Sequence, residues 1–198
     1  MKDFWNEQYS ETDFVYGTEP NQFFKEQIDH LNLGKLILPA EGEGRNAVYA
    51  AQKGWDVKAV DYSKSGKEKA MKLASEKDVE ISYDLSDLAE YHFGKEKYDV
   101  AAFIYVHLPR SIIKDVYRNV IKSLKQSAKI VVEVYSLNQL GLDSGGPKDE
   151  RMLYTEEKLR DLLSGTNIKW MEEMEIDLSE GKYHVGKAMV IQAVAEKV

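Results

Sequence analysis

Short apolar runs alternate with helix-spaced segments along most of the chain, and this alternation limits what it can fold into. The runs fall at residues 36–38, 57–60, 79–83, 100–106 and 130–135. Between them, residues 110–125 place Ile112, Ile113, Val116, Tyr117, Val120, Ile121 and Leu124 on one face at three- and four-residue steps, the pattern of a helix packed on a sheet. Shorter helical patterns surround Ala47–Ala51 and Ala70–Ala74. Strands alternating with helices of this length predict βαβ units and a parallel sheet. The end of the chain differs: after a helical segment at 156–163, residues 168–178 and 187–195 form two extended stretches with a short link, which predicts an antiparallel pair. The expected fold is α/β, a Rossmann-like three-layer sandwich with a mostly parallel seven-stranded sheet that closes with an antiparallel C-terminal hairpin. At 198 residues one domain is expected, with residues 1–33 preceding a core at 34–198.

The first apolar run leads into a glycine corner, LILPAEGEGRNA, residues 36–47. A strand, a tight glycine turn and a helix in succession turn backbone N–H groups toward a ligand and let it approach the main chain. Gly42, Gly44 and Ala47 satisfy GxGxxG/A, and Asp61 ends the next strand in VKAVDYS, where a carboxylate can hold ribose hydroxyls. Glu41 and Glu43 flank Gly42 and would oppose a pyrophosphate. A nucleoside ligand without phosphate, carrying positive charge, suits this corner better.

Composition narrows the partners. The chain carries 34 acidic against 27 basic side chains, a net charge of -7, which disfavours nucleic acid. It has no cysteine, so neither disulfides nor thiolate metal sites are available. Its four histidines lack ligand-like spacing, and no metal site is expected; His30 and His92 read as surface residues. No apolar run approaches bilayer length and the N-terminus lacks a signal-peptide core, so the expectation is a cytoplasmic protein without membrane contact, monomer or homodimer. LDSGGPKDE, residues 142–150, is the one obvious flexible loop.

The corner and the strand after it, LILPAEGEGRNAVYAAQKGWDVKAVDYS, resemble motif I and the second strand of class I S-adenosylmethionine-dependent methyltransferases, particularly the bacterial small-molecule group related to tellurite-resistance and thiopurine methyltransferases. FWNEQYS and YGTEPNQF resemble that group's N-terminal cap, YDVAAFIYVHLP its fourth strand, SGGPKDERMLYTEEKL its late loop and helix, and EGKYHVGKAMVIQAVA its closing strand. The usual motif I acid is missing, since Leu38 and Ala40 stand there; Glu41 is the expected substitute. The resemblance implies S-adenosyl-L-methionine as cofactor, bound by Ala40, Glu41, Gly42, Gly44, Arg45 and Asn46 at the corner, Asp61 on the ribose, Tyr62 and Ser63 beside the adenosine, Asp84 and Leu85 near the adenine, and Tyr105 after the fourth strand. Arg45 meets either the cofactor carboxylate or an acidic neighbour.

Tyr16, Asn21, His107 and His184 are the candidates for the side of the methyl acceptor, and His107 is the candidate catalytic residue. Trp5, Tyr9, Phe14, Tyr16, Phe23 and Phe24 gather aromatics before the sheet begins, where the segment can exclude water from the sulfonium. Methyl transfer from a sulfonium asks the protein mainly to align a nucleophile, in keeping with the lack of a Ser-His-Asp set. The expected acceptor is a small nucleophile such as a thiol or a chalcogen oxyanion. An NAD-dependent oxidoreductase would share the corner and Asp61, and a non-catalytic adenosylmethionine-binding module would share all of it.

Overall fold

The computed structural model describes residues 2–198. Two helices, α1 (Lys2–Gln8) and α2 (Gln22–Ile28), precede the first strand. The chain then runs β1 (Lys35–Pro39), α3 (Arg45–Gln52), β2 (Asp56–Asp61), α4 (Lys64–Glu76), β3 (Ser82–Leu85), β4 (Tyr98–Ile104), α5 (Arg110–Ser123) and β5 (Leu124–Tyr135). It ends with α6 (Glu156–Leu162), β6 (Thr166–Glu180) and β7 (His184–Lys197). The seven strands form one sheet in the order β3-β2-β1-β4-β5-β7-β6. β1 to β5 pair in parallel, while β7 runs antiparallel to both β5 and β6.

Alternation along the strands builds the two faces. Leu36 and Leu38 of β1 pack with Phe24, Val48, Ala70 and Leu73 from α2, α3 and α4, whereas Ile37 between them packs on the α5 and α6 side with Val116, Tyr117 and Leu159. Successive strand side chains point to opposite faces, so this sheet is covered on both and its central strands read as unbroken apolar runs. β4 shows this best, with Val100, Ala101, Ala102 and Phe103 all buried.

The third strand lies later than expected. Val79 does not pair in the sheet; its N–H donates to the Ala74 carbonyl, after Asp78 adopts a φ of 54°, so it closes α4. Pairing with β2 starts at Lys58↔Ser82 and ends at Asp61↔Leu85. The fourth strand stops at Ile104 rather than reaching residue 106, because Tyr105 takes a φ of 53°.

The strand order reverses at β1, between β2 and β4, and the β1–β4 register runs only through Leu36↔Val100 and Ile37↔Ala101. Beyond Ile37 the carboxyl ends of the two strands lose their pairing. A topological switch point of this kind is where open α/β sheets bind ligands.

Candidate functional site

A cavity of about 780 Å³ lies at these carboxyl ends, within the usual range for cofactor and small-molecule sites. Its floor carries Ala40, Glu41, Arg45 and Asn46 from the glycine corner, Asp61 and Tyr62 from the end of β2, and Ile104 and Tyr105 from the end of β4. Trp5, Tyr9 and Tyr16 of the N-terminal segment close one side, and residues 145–149 with Tyr183 and His184 close another.

Glu41, the expected substitute for the missing motif I acid, faces the cavity. Its Oε1 accepts the Ala47 N–H at 2.7 Å, in the first turn of α3, and it lines the cavity. Burial pushes this carboxyl up to about 7, against the pull of its hydrogen bonds from Ala47 and Asn46 and of Arg45. Asp61 accepts the Ser63 N–H at 2.7 Å and the Gly42 N–H at 3.2 Å, and burial lifts it to about 6. Two buried acids therefore share the corner, with no lysine or arginine among the described residues bonded to either.

Glu43, the other corner acid, turns away. It pairs with Lys69 at 2.7 Å and accepts the N–H groups of Val15 and Tyr16, tying the N-terminal segment to the corner. Arg45 meets an acidic neighbour: its guanidinium lies 2.8 Å from Glu180 and also reaches the carbonyls of Tyr16 and Glu19.

The two glycines have separate tasks. Gly42 has a φ of 62°, and a Cβ there would lie 2.6 Å from the Tyr9 hydroxyl; the group that needs this glycine's bareness is the roof. Gly44 has a φ of 84°, and its Cβ would lie 2.4 Å from that of Ala70, so it permits α3 to approach α4. Neither lines the cavity.

Four other expected positions lie off it. Ser63 caps α4, accepting the Gly66 N–H while its hydroxyl donates to Asn6. Asp84 is bound by Tyr91 at 2.6 Å and Lys58 at 3.1 Å, and Leu85 is exposed. In their place Asp87 and Leu88 line the cavity. The sequence SYDLSDL holds an Asp-Leu pair twice, and the hydrogen bond from Ser86 N–H to the Asp61 carbonyl brings the second pair over the site. Asn21 faces elsewhere: it caps α2, donates to Glu133 at 2.6 Å, and borders a second cavity of about 550 Å³.

The two histidines differ in how their rings are bonded. His107 lines the cavity, yet its Nδ1 bonds the Met152 carbonyl at 2.9 Å and its Nε2 accepts the Tyr135 N–H at 3.2 Å. Both ring nitrogens are occupied. Burial lowers it to about 4, so it is a neutral strut between β4, β5 and the late loop. His184 has its Nδ1 3.1 Å from Glu180 Oε2, and its Nε2 has no hydrogen-bond partner among the described residues. Its ring touches those of Tyr16, Tyr105 and Tyr135, with centroids 4.3, 4.7 and 5.6 Å away. Among the described residues the Tyr105 hydroxyl has no hydrogen-bond partner although it is buried, and Tyr105 is one of five non-glycine residues with positive φ.

The loop at 142–150 proves to be a wall. Ser144 is buried, bonded to the Lys187 carbonyl at 2.5 Å and to Gln139, and the residues after it pack on Tyr135 and His184. Among the described residues no group of three potential ligands could hold a metal ion, and no helix is long and apolar enough to cross a membrane.

Residues 40–127 match a family described as a methyltransferase domain. No curated protein sequence matches the chain. Among solved structures, it is similar to one concerned with the conversion of a disulfide bond into a thioacetal group during echinomycin biosynthesis. That match has 12% identity and a TM-score of 0.82, covering 100% of this chain and 91% of the other. TehB from Haemophilus influenzae matches at 16% identity and a TM-score of 0.74, over 100% of this chain and 67% of that one. An S-adenosylmethionine-dependent methyltransferase from Methanosarcina mazei matches at 14% identity and 0.69, over 91% and 99%. At these identities the likeness establishes the fold, a Rossmann-like sheet closed by the β5-β7-β6 antiparallel arrangement.

Proposed function

We propose that the protein binds S-adenosyl-L-methionine and transfers its methyl group to a small-molecule nucleophile. The domain match over residues 40–127 and the S-adenosylmethionine-dependent neighbour imply the cofactor. The observation that carries the proposal is the pair of buried acids, Glu41 and Asp61, on either side of the switch-point corner.

The residues present suit that cofactor. Two carboxyls held in a low-dielectric wall without a cation favour a ligand that brings positive charge and hydroxyl donors. They oppose a pyrophosphate, and so favour adenosylmethionine over NAD. Glu41 would hold the ammonium, Asp61 the ribose hydroxyls, and Tyr62, Asp87 and Leu88 would border the adenosine. Bound there, the cofactor supplies an electrophilic methyl group. The protein then has to align an acceptor and exclude water, and the aromatic segment from Trp5 to Tyr16, fastened by Glu43 and by Asn6 of α1, which accepts the Lys64 N–H of α4, is placed to do so.

The test is transfer of labelled methyl from adenosylmethionine to a panel of thiols, phenols, amines, selenite and tellurite, with tRNA and protein extract as controls. Label in the small molecules is expected. Label chiefly in RNA or protein, or transfer to nothing, contradicts the proposal.

A further inference from the structure

We propose that the acceptor enters this site as a neutral molecule carrying an O–H, N–H or S–H proton, and that His184, held by Glu180, removes that proton as the methyl group is transferred. This deepens the methyltransferase reading and rests on it.

The cavity's unpaired charges are negative. Asp143 pairs with Lys148, Asp149 with Arg151, and Arg45 with Glu180. Glu41, Asp61 and Asp87 remain without a basic partner among the described residues. With Glu41 and Asp61 taken up by the cofactor, an acceptor that arrived as an anion would have to leave water for a face of Tyr16, Tyr105 and Tyr135 on which Arg45 is already held by Glu180. A neutral acceptor avoids that cost but must lose a proton on reaction, so the wall needs a base.

His184 is the group that fits. Hydrogen bonding to Glu180 Oε2 at 3.1 Å assigns the proton of the neutral ring to Nδ1, which leaves the Nε2 lone pair free. Glu180 is fixed in turn by Arg45 at 2.8 Å on the same oxygen and by Asn21 at 3.3 Å on the other. Burial pushes the Glu180 carboxyl up, but His184 and Arg45 outweigh it and hold it at about 2; it stays ionised and can stabilise an imidazolium. A base oriented by a carboxylate is a recurrent arrangement for proton abstraction. His107, with both nitrogens occupied, cannot take the role.

The step balances. The acceptor's heteroatom lone pair forms the bond to the methyl carbon, the carbon–sulfur pair returns to sulfur as a thioether, and the acceptor's proton passes to His184 Nε2. The imidazolium gives the proton up to water when the products leave. Glu180 touches neither substrate nor cofactor in this scheme; it is a positioning residue.

The experiment compares wild type with His184→Gln and Glu180→Gln on a series of phenols of falling pKa, measuring adenosylhomocysteine formation. Cofactor affinity by calorimetry serves as the folding control. With weakly acidic phenols, both variants should lose at least tenfold in kcat with little change in cofactor Kd, and the loss should shrink as the phenol becomes more acidic. The rate should fall on the acid side as His184 protonates, below the ordinary imidazole value of 6.5, because burial lowers it against the pull of Glu180. The other titratable or charged groups facing the dyad are Arg45, Tyr16, Tyr105, Tyr135, Glu133 and His107. Independently of turnover, imidazole nitrogen NMR should show the Nδ1–H tautomer in wild type and its loss in Glu180→Gln.

Equal turnover in wild type and His184→Gln for weakly acidic acceptors overturns the proposal while leaving the methyltransferase reading intact. Turnover confined to tellurite, selenite or other pre-ionised anions does the same. Cofactor binding without transfer to anything overturns both.

Discussion

Glu41 Oε1 accepts the backbone N–H of Ala47 at 2.7 Å, so one carboxylate both caps the helix after the glycine corner and faces the cavity. A free helix N–H is satisfied, and a negative charge is placed where the cofactor's ammonium is proposed to lie. Glu41→Gln should therefore keep the cap largely intact while weakening adenosylmethionine more than tenfold. Thermal melting and calorimetry on the same preparation separate the two effects.

The pH dependence of Glu41 and Asp61 has a definite sign. Both are raised in the folded protein, to about 7 and about 6 from 4.5 and 3.8. Between those limits the folded state binds more protons than the unfolded one, so their contribution to stability is fully present below about pH 4 and is lost as pH rises through 6 to 7. The ligand-free protein should lose this part of its stability over that window, and Glu41→Gln should flatten the loss. The affinity for adenosylhomocysteine, which keeps the ammonium, should rise with pH through about 7 as Glu41 ionises, and Glu41→Gln should remove that rise; an affinity flat with pH in the wild type would remove Glu41 from the ammonium.

His107 offers a contrast. His107→Ala leaves the Tyr135 N–H and the Met152 carbonyl without partners, at a cost of about 1–3 kcal/mol. Melting should reveal that cost. The acidic limb of the rate profile should keep its position, since His107 takes no proton from the acceptor in this account.

Gly44→Ala and Gly42→Ala should differ in kind. The first drives a Cβ to 2.4 Å from the Ala70 Cβ and 2.9 Å from its Cα, between two packed helices. Nothing flexible can yield there, so a loss of about 1–3 kcal/mol of stability is expected. The second meets the end of the Tyr9 side chain, which can swing away. Its effect should appear in cofactor binding and turnover more than in melting temperature.

Much of this was legible from the sequence, and the exceptions have physical causes. The apolar runs and helical stripes mark a doubly covered sheet, because each central strand must be hydrophobic on both faces; that pattern needs no tertiary information. The Val79 error arose because a β-branched residue can close a helix as readily as begin a strand, and only the register with β2 decides. Asp61, Tyr62 and Glu41 line the cavity because the end of a parallel strand fixes where its last side chain and the next one or two lie. Asp84 and Leu85 come from the resemblance, and the turn that carries Asp87 and Leu88 to the cavity instead depends on the bond from the Ser86 N–H to Asp61, which no local pattern shows. His107 looked best placed by topology, but the occupancy of its nitrogens depends on Met152 and Tyr135, remote in sequence. The same holds for the bond between His184 and Glu180 across the hairpin turn: spacing alone does not say which nitrogen is left free.

The central claim is that the corner between Glu41 and Asp61 is built for an adenosylmethionine-type ligand. Isothermal titration with adenosylhomocysteine and with NAD, on wild type and Asp61→Ala, tests it most directly. The account predicts one adenosylhomocysteine bound per chain and no heat with NAD. In Asp61→Ala the affinity should fall by about 1–3 kcal/mol through loss of charge-assisted hydrogen bonds to the ribose. Binding of NAD in preference, or equal adenosylhomocysteine affinity in the variant and the parent, would contradict it.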